Sequence, residues 1–121
     1  MRYRYILIAF IALVFCSCSA QPLKRSQIIG EVAWQAIHII DWGQTLNIAD
    51  NPEKYHEINP IIGKHPSRGR VNAYMLTSAI LHPIVTYALP DEYRWYWLGG
   101  TITLSGACVI NNHAIGLRLG F

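Results

Sequence analysis

The sequence predicts an all-α fold, a helical membrane bundle of three to four helices, and three observations support that prediction. Of the 121 residues, 52% are hydrophobic and only 14% are charged, whereas an average soluble domain carries about 25% charged residues. Three apolar stretches after residue 27 approach the roughly 20 residues that a helix needs to span a bilayer. No segment alternates between polar and apolar residues for long enough to predict a barrel strand.

The N-terminal segment has the composition of a signal peptide or of a membrane helix. Two arginines precede the apolar run Ile6–Phe15, and small residues follow it. The end of this segment resembles a bacterial lipoprotein signal, which implies lipidation of Cys18. The run also fits an uncleaved first membrane helix, or an ordinary signal cleaved near Ala20. We therefore expect residues 1–20 to be a signal peptide or first membrane helix, and residues 21–121 to form the helical membrane domain.

The next stretch, Ile28–Ala49, predicts one helix with a polar face. It contains no proline, and Asn51-Pro52 provides a strong stop because the residue before proline avoids the helical region. Its polar residues recur at helical spacing. They are Glu31, Gln35, His38 and Thr45, with Asp41 at the edge of the same face.

A polar loop is predicted over Asn51–Arg70, and it contains the segment Glu57-Ile-Asn-Pro60. Pro60 should hold Asn59 extended, so that Glu57 and Asn59 satisfy free backbone groups at helix ends. The alternative is that this loop binds a substrate. The pair Ile61-Ile62 predicts that the loop returns to the apolar phase or packs beneath the helices.

Val71–Leu89 predicts the following helix, with Ser67 as its N-cap. Ser78, His82 and Thr86 are four residues apart and should therefore share one face.

Leu98–Leu117 predicts the last helix, and the Tyr- and Trp-rich segment Tyr93–Trp97 before it is typical of a membrane interface. Gly99, Thr103 and Ala107 recur every four residues, which favours close helix packing.

The basic residues predict an orientation. With four spans and a cytoplasmic N-terminus, seven of the ten Lys and Arg residues lie on the cytoplasmic side, together with the Asn51–Arg70 loop. This bias predicts a bacterial membrane location, namely the inner membrane.

A cluster of polar residues inside the predicted spans is the candidate site. An ionised aspartate near the bilayer centre costs about 2.5–3.5 kcal/mol, so Asp41 should face the bundle and find a partner, or be protonated. His82 and Asn111 or Asn112 are the candidate partners, and we expect His82 to lie close to Asp41. The cluster could be an interhelical clamp, or it could be an ion, proton or substrate site. Its members are His38, Asp41, Thr45, His82, Asn111 and Asn112.

Other chemistry finds little support. The histidines lack the short spacing of zinc enzymes, and scattered basic residues argue against nucleic-acid binding. We therefore expect no catalytic residue, no metal and no cofactor. The expected partners are the lipid bilayer and another helical membrane protein.

Two short motifs, Asp41-x-x-x-Thr45 and Glu57-x-Asn59-Pro60, resemble those of small bacterial and phage-borne membrane proteins of unknown function. The resemblance implies a helical membrane bundle without an established activity. The leading hypothesis is therefore a non-enzymatic envelope or phage-encoded accessory factor. The alternative is a transporter-like or enzymatic polar site within the membrane.

Overall fold

The computed structural model describes residues 21–121, and within that range the chain forms three α-helices and no strand. Helix α1 spans Arg25–Asp50, α2 spans Arg68–Ala88 and α3 spans Asp91–Ala114. The all-α prediction is confirmed for these residues. The predictions of a signal peptide, of a first membrane helix and of lipidation at Cys18 lie outside the described residues.

Each helix begins before the apolar stretch that predicted it, because polar residues continue the helix beyond the apolar run. The largest difference is in α3, which begins at Asp91, so that Tyr93–Trp97 lies within the helix and does not precede it. Asp91 and Glu92 lie in the first turn, where negative charge favours the helix dipole. Ser67 caps α2 as predicted, since its side chain accepts a hydrogen bond from the Arg70 backbone N–H.

Helix α1 is the centre of the bundle, which runs up, down and up. It packs against both other helices, whereas α2 and α3 contact each other much less. Lys24 next to α1 pairs with Asp91 at the start of α3, so these helices run parallel. Asp50 at the end of α1 pairs with Arg68 at the start of α2, so these two run antiparallel.

The loop between α1 and α2 packs against the bundle through one isoleucine. Ile62 is 2% exposed and joins Leu46, Val71 and Met75 in an apolar cluster, whereas Ile61 is 71% exposed. The prediction that the loop packs beneath the helices is therefore confirmed for Ile62 and wrong for Ile61.

The Glu57-Ile-Asn-Pro60 segment stabilises its own turn. Glu57 Oε1 accepts hydrogen bonds from the backbone N–H groups of Ile58 and Asn59, at 2.9 and 2.8 Å. Asn59 Oδ1 accepts from the Ile61 N–H, at 3.0 Å. The prediction that these side chains serve helix ends is wrong, because the nearest free N–H groups belong to the turn itself.

The C-terminal residues cross α1. The Gly120 N–H donates to the Gly43 carbonyl, with N and O 2.9 Å apart. A Cβ atom at Gly120 would lie 2.7 Å from the backbone nitrogen of Asn47. Glycine is needed here because two backbones approach each other directly.

The distribution of polarity differs from that of a water-soluble bundle. Within residues 21–121, eight polar and eight apolar residues share the buried interior, while many large apolar side chains face outwards. The buried polar residues are Gln27, Glu31, His38, Gln44, Thr45, His82, Thr86 and Arg94. The exposed apolar residues include Ile28, Ile29, Val32, Ile39, Ile40, Leu76, Ile80, Leu81, Ile84, Leu104 and Ile110. Within residues 21–121, no helix combines the length and apolarity required to cross a membrane.

Candidate functional site

A buried carboxylate and an imidazole form the centre of the polar interior. Glu31 comes from the first half of α1, and His82 comes from the second half of α2, which runs alongside in the opposite direction. His82 Nδ1 lies 2.8 Å from Glu31 Oε1 and 2.9 Å from Oε2. Since both carboxylate oxygens accept hydrogen bonds, we assign a proton to Nδ1, whose N–H donates a hydrogen bond to the carboxylate.

Further donors surround the same carboxylate. The Thr86 hydroxyl donates to Glu31 Oε2 at 2.8 Å, and the Trp97 indole N–H donates to the Thr86 hydroxyl at 3.0 Å. The Gln35 amide donates to Glu31 Oε1 at 3.3 Å. A buried carboxylate is tolerated only when it is paired and hydrogen-bonded. Residues of α1 and α2 provide those bonds, and Trp97 of α3 supports them through Thr86.

The other nitrogen of His82 faces a hydroxyl. Nε2 lies 2.9 Å from Thr101 Oγ1, which is also 2.8 Å from the Trp97 carbonyl. A hydroxyl has one proton, so it donates either to His82 Nε2 or to that carbonyl. The first arrangement suits a neutral imidazole and the second suits an imidazolium, so Thr101 can accommodate both protonation states by rotating its hydroxyl. We call Glu31, His82, Thr86, Trp97 and Thr101 the Glu31–His82 network.

Aromatic rings hold His82 in place. Its ring stacks on Trp34, with centroids 3.6 Å apart and planes 5° apart, and Trp97 lies on its other side at 4.9 Å and 30°. His38 stacks on Trp34 at 4.5 Å and 14°. Rings on both sides therefore restrict the imidazole to one orientation.

A cavity of about 390 Å³ adjoins this network between α2 and α3. Its volume falls in the range of roughly 300–1,000 Å³ that is typical of ligand pockets. Its lining residues are Trp34, Ser78, Leu81, His82, Val85, Trp97, Thr101, Leu104 and Ser105. The cavity therefore borders the imidazole, although His82 itself is only 5% exposed.

Arg94 forms a second buried polar centre at the end of the bundle where α1 and α3 begin. It is 1% exposed and donates to the carbonyl oxygens of Gln21, Pro22, Tyr87 and Leu89 and to Gln27 Oε1. These bonds tie the segment before α1 to the end of α2, because one guanidinium offers five donors.

Asp91 covers this end of the bundle from the outside. Hydrogen bonds from Lys24 at 2.6 Å and from Gln27 at 2.7 Å hold the pKa of the Asp91 carboxyl below its ordinary value. Both donors favour the charged form of the carboxyl, and the nearby positive charges of Lys24 and Arg94 add to the effect.

The predicted polar cluster is split between two levels of the bundle. Asp41 accepts a hydrogen bond from the Asn112 amide at 3.2 Å. His38 is buried and bonds the Met75 carbonyl at 2.9 Å, Thr45 is buried, and Asn111 is exposed. Asn112 is therefore the partner that Asp41 needs.

The predicted pairing of Asp41 with His82 needs correction, because the acidic partner of His82 is Glu31. Asp41 lies ten residues beyond Glu31, which is about 15 Å along a helix. Since α2 is antiparallel to α1, His82 near the end of α2 lies opposite the first part of α1. Direction and register of the two helices therefore select Glu31, and not Asp41 or Asp50, as the acidic partner of His82.

Sequence reasoning missed Arg94 and the stacking role of Trp34 and Trp97, and it did not select Glu31 as a site residue. Glu31 did lie on the predicted polar face of α1. Arg94 was counted only as a charge outside the membrane, and nothing in its local sequence signals burial.

Among residues 21–121, no group of three His, Cys, Asp or Glu side chains is placed to hold a metal ion. Comparison of the chain with protein-family models, curated proteins and solved structures finds no match.

Proposed function

We propose that this chain is a small integral protein of the bacterial inner membrane, a non-enzymatic accessory factor that acts through its contacts with lipid and with other helices. The observation that supports this proposal most directly is the combination of a polar interior with many large apolar side chains on the exterior. Lipid contacts only the outward-facing side chains, and most of the large ones in the middle of the helices are apolar.

The middle of each helix supports the same proposal. In α1, every exposed residue between Ile28 and Ile40 is apolar. Residues 72–87 of α2 and 95–111 of α3 contain no Asp, Glu, Lys or Arg. Segments of 16 and 17 residues extend about 24–26 Å as helix, close to the roughly 30 Å hydrocarbon thickness of a bilayer.

Exposure of these side chains to water would be costly. Full burial of one Ile or Leu side chain is worth about 1.5–3 kcal/mol relative to its exposure in water, and this bundle leaves many of them outside. A bilayer removes that cost, and it leaves the polar interior as the region in which buried polar groups satisfy one another.

Extraction of membranes tests this proposal. The full chain should remain in the membrane pellet after washing with alkaline carbonate, together with a known integral protein. A peripheral protein in the same sample serves as the control for complete release. Recovery of the chain in the carbonate supernatant would overturn the proposal.

The orientation follows from the charges and can be tested separately. Lys64→Cys and Glu92→Cys place single thiols at opposite ends of the bundle, in a chain whose native cysteines are replaced by serine. If the loop between α1 and α2 is cytoplasmic, an impermeant maleimide should label Glu92→Cys in intact cells. It should label Lys64→Cys only after lysis, and the opposite pattern would invert the orientation.

Lipidation of Cys18 is a separate proposal, supported by the basic, apolar and small-residue order of residues 1–20. The wild type should incorporate labelled palmitate, and Cys18→Ser should abolish incorporation. Failure of the wild type to take up the label would remove the lipoprotein proposal and leave the membrane proposal unaffected.

A second candidate function is a proton-handling or catalytic site on the Glu31–His82 network. The observation that favours it is a carboxylate, an imidazole and a hydroxyl bonded in series beside a cavity. Infrared spectra of the wild type and of Glu31→Gln, recorded across the range of about pH 5 to 8 in which histidine ordinarily titrates, test it. A carboxyl signal that changes with pH only in the wild type supports this candidate, and an invariant signal supports a purely structural clamp.

A further inference from the structure

We propose that the cavity between α2 and α3 binds the hydrocarbon chain of a membrane lipid. This proposal rests on the membrane location proposed above. It commits to an apolar chain as the occupant, and the argument comes from the lining of the cavity, its polar groups and its opening.

The lining has no strong charge to attract a polar ligand. It contains no Asp, Glu, Lys or Arg, and the side chains of Leu81, Val85 and Leu104 meet the indoles of Trp34 and Trp97 around the space. Such a surface makes dispersion contacts with methylene groups. An anionic or cationic ligand would find no opposite charge there.

The polar groups of the lining already have partners within the chain. The Ser78 hydroxyl bonds the Tyr74 carbonyl at 3.0 Å, and Ser105 Oγ accepts the Trp34 indole N–H at 3.2 Å. Thr101 and both ring nitrogens of His82 are engaged in the Glu31–His82 network. The polar groups that line the cavity therefore need no hydrogen bond from a ligand, which favours an unsubstituted hydrocarbon chain as the occupant.

The opening faces the apolar exterior. Helices α2 and α3 contact each other little, and the lining residues Leu81 and Leu104 at this gap are 43% and 70% exposed. Ile80 and Ile84 of α2 extend the same apolar surface. In a bilayer, acyl chains are the molecules that lie against this surface, so a chain can enter from the side.

Quenching of tryptophan fluorescence by brominated acyl chains tests the proposal. The full chain is reconstituted into phosphatidylcholine vesicles with or without bromine on the acyl chains. In the double variant Trp42→Phe with Trp95→Phe, Trp34 and Trp97 at the cavity are the remaining tryptophans. We expect brominated lipid to lower the emission of this variant about twofold, because quenching requires contact between bromine and the ring.

A filled cavity should prevent that contact. Val85→Phe, added to the double variant, places a ring in the cavity and should restore most of the emission. The matched control is Ile84→Phe, which adds the same ring one residue earlier at an exposed position that does not line the cavity. Should Val85→Phe fail to fold, Ser78→Leu fills the same cavity from α2.

The difference between the single variant Trp42→Phe and the double variant reports Trp95, which is 49% exposed on the exterior. If Trp95 is quenched and the cavity tryptophans are not, then no acyl chain occupies the cavity, and the lipid-chain proposal is overturned. Equal quenching of the Val85→Phe and Ile84→Phe variants also overturns it. If Trp95 itself is not quenched, the membrane location is wrong.

Discussion

The Glu31–His82 pair should be energetically coupled, and a double-mutant cycle measures that coupling. The cycle compares Glu31→Ala, His82→Ala and the combined variant with the wild type. Each single change leaves a partner in the buried interior without its hydrogen bond, whereas the combined change removes both partners. The two effects should therefore not add.

The structure sets the expected size of the effect. Glu31→Ala removes the acceptor for His82 Nδ1 and for the Thr86 hydroxyl. Loss of one partner of a buried pair costs about 3–5 kcal/mol, so we expect each single variant to lose about 3 kcal/mol of unfolding free energy. We expect the combined variant to lose about 4 kcal/mol, which gives a coupling energy of about 2 kcal/mol. This value is above the roughly 0.6 kcal/mol average for hydrogen bonds between membrane helices.

Reversible unfolding in mixed detergent micelles, titrated with dodecyl sulfate, provides the measurement. The matched control is the cycle of Asp41→Ala with His82→Ala, which should be additive within about 0.5 kcal/mol because Asp41 bonds Asn112. A Glu31–His82 coupling below about 0.5 kcal/mol would refute the reasoning. So would a coupling of equal size in the control cycle.

Three further predictions use the same unfolding assay. Arg94→Lys should lose about 2–4 kcal/mol, because one ammonium cannot replace a guanidinium that bonds five oxygens on different segments. A loss no larger than that of an exposed Arg→Lys change would contradict the role of Arg94 in joining these segments. Gly120→Ala should lose about 1–3 kcal/mol, because its Cβ would press on the α1 backbone. By contrast Gly100→Ala, with no atom within 4 Å of the added carbon, should be neutral or gain up to about 1 kcal/mol. Because the Asp91 pKa is lowered by its bond to Lys24, the stabilisation from Asp91 should be present above its ordinary pKa and lost as the pH falls through the lowered value. Asp91→Asn should therefore destabilise slightly at neutral pH and reduce the acid sensitivity of the chain, and an unchanged acid profile would contradict this pairing.

Local signals in the sequence predicted the helices and one polar face correctly. The spacing of His82 and Thr86 predicted a shared face, and both side chains bond the same carboxylate. Ser67 before an apolar stretch predicted the cap of α2. These predictions succeeded because each depends on residues within about one helical turn of each other, where the 3.6-residue period fixes the geometry.

Long-range features did not follow from the same signals. Glu31 and His82 are 51 residues apart, and their pairing depends on the direction and register of two helices. The Gly99, Thr103 and Ala107 stripe illustrates the same limit: the spacing predicted close helix packing, yet these three residues are exposed in the described part of the chain. Periodicity identifies a face, but packing decides which neighbour that face meets.

On the membrane proposal, the difference between lipid and water explains the positions of both the polar and the apolar contacts. Within lipid, apolar side chains gain little by packing against each other, because acyl chains are equally apolar, so polar bonds and close packing must hold the helices together. On that proposal, the Glu31–His82 network lies at the level that lipid would surround, and the Asp41–Asn112 bond lies at the edge of that level. The apolar cluster of Leu46, Ile62, Val71 and Met75 lies nearer the loop end, with Met75 about one turn inside the uncharged segment of α2. The loop end would project towards water, where burial of apolar surface is favourable. Truncation of a residue in this apolar cluster should therefore lower the free energy of unfolding more than truncation of an apolar residue that faces lipid. The Glu31–His82 network instead determines which faces of the three helices meet.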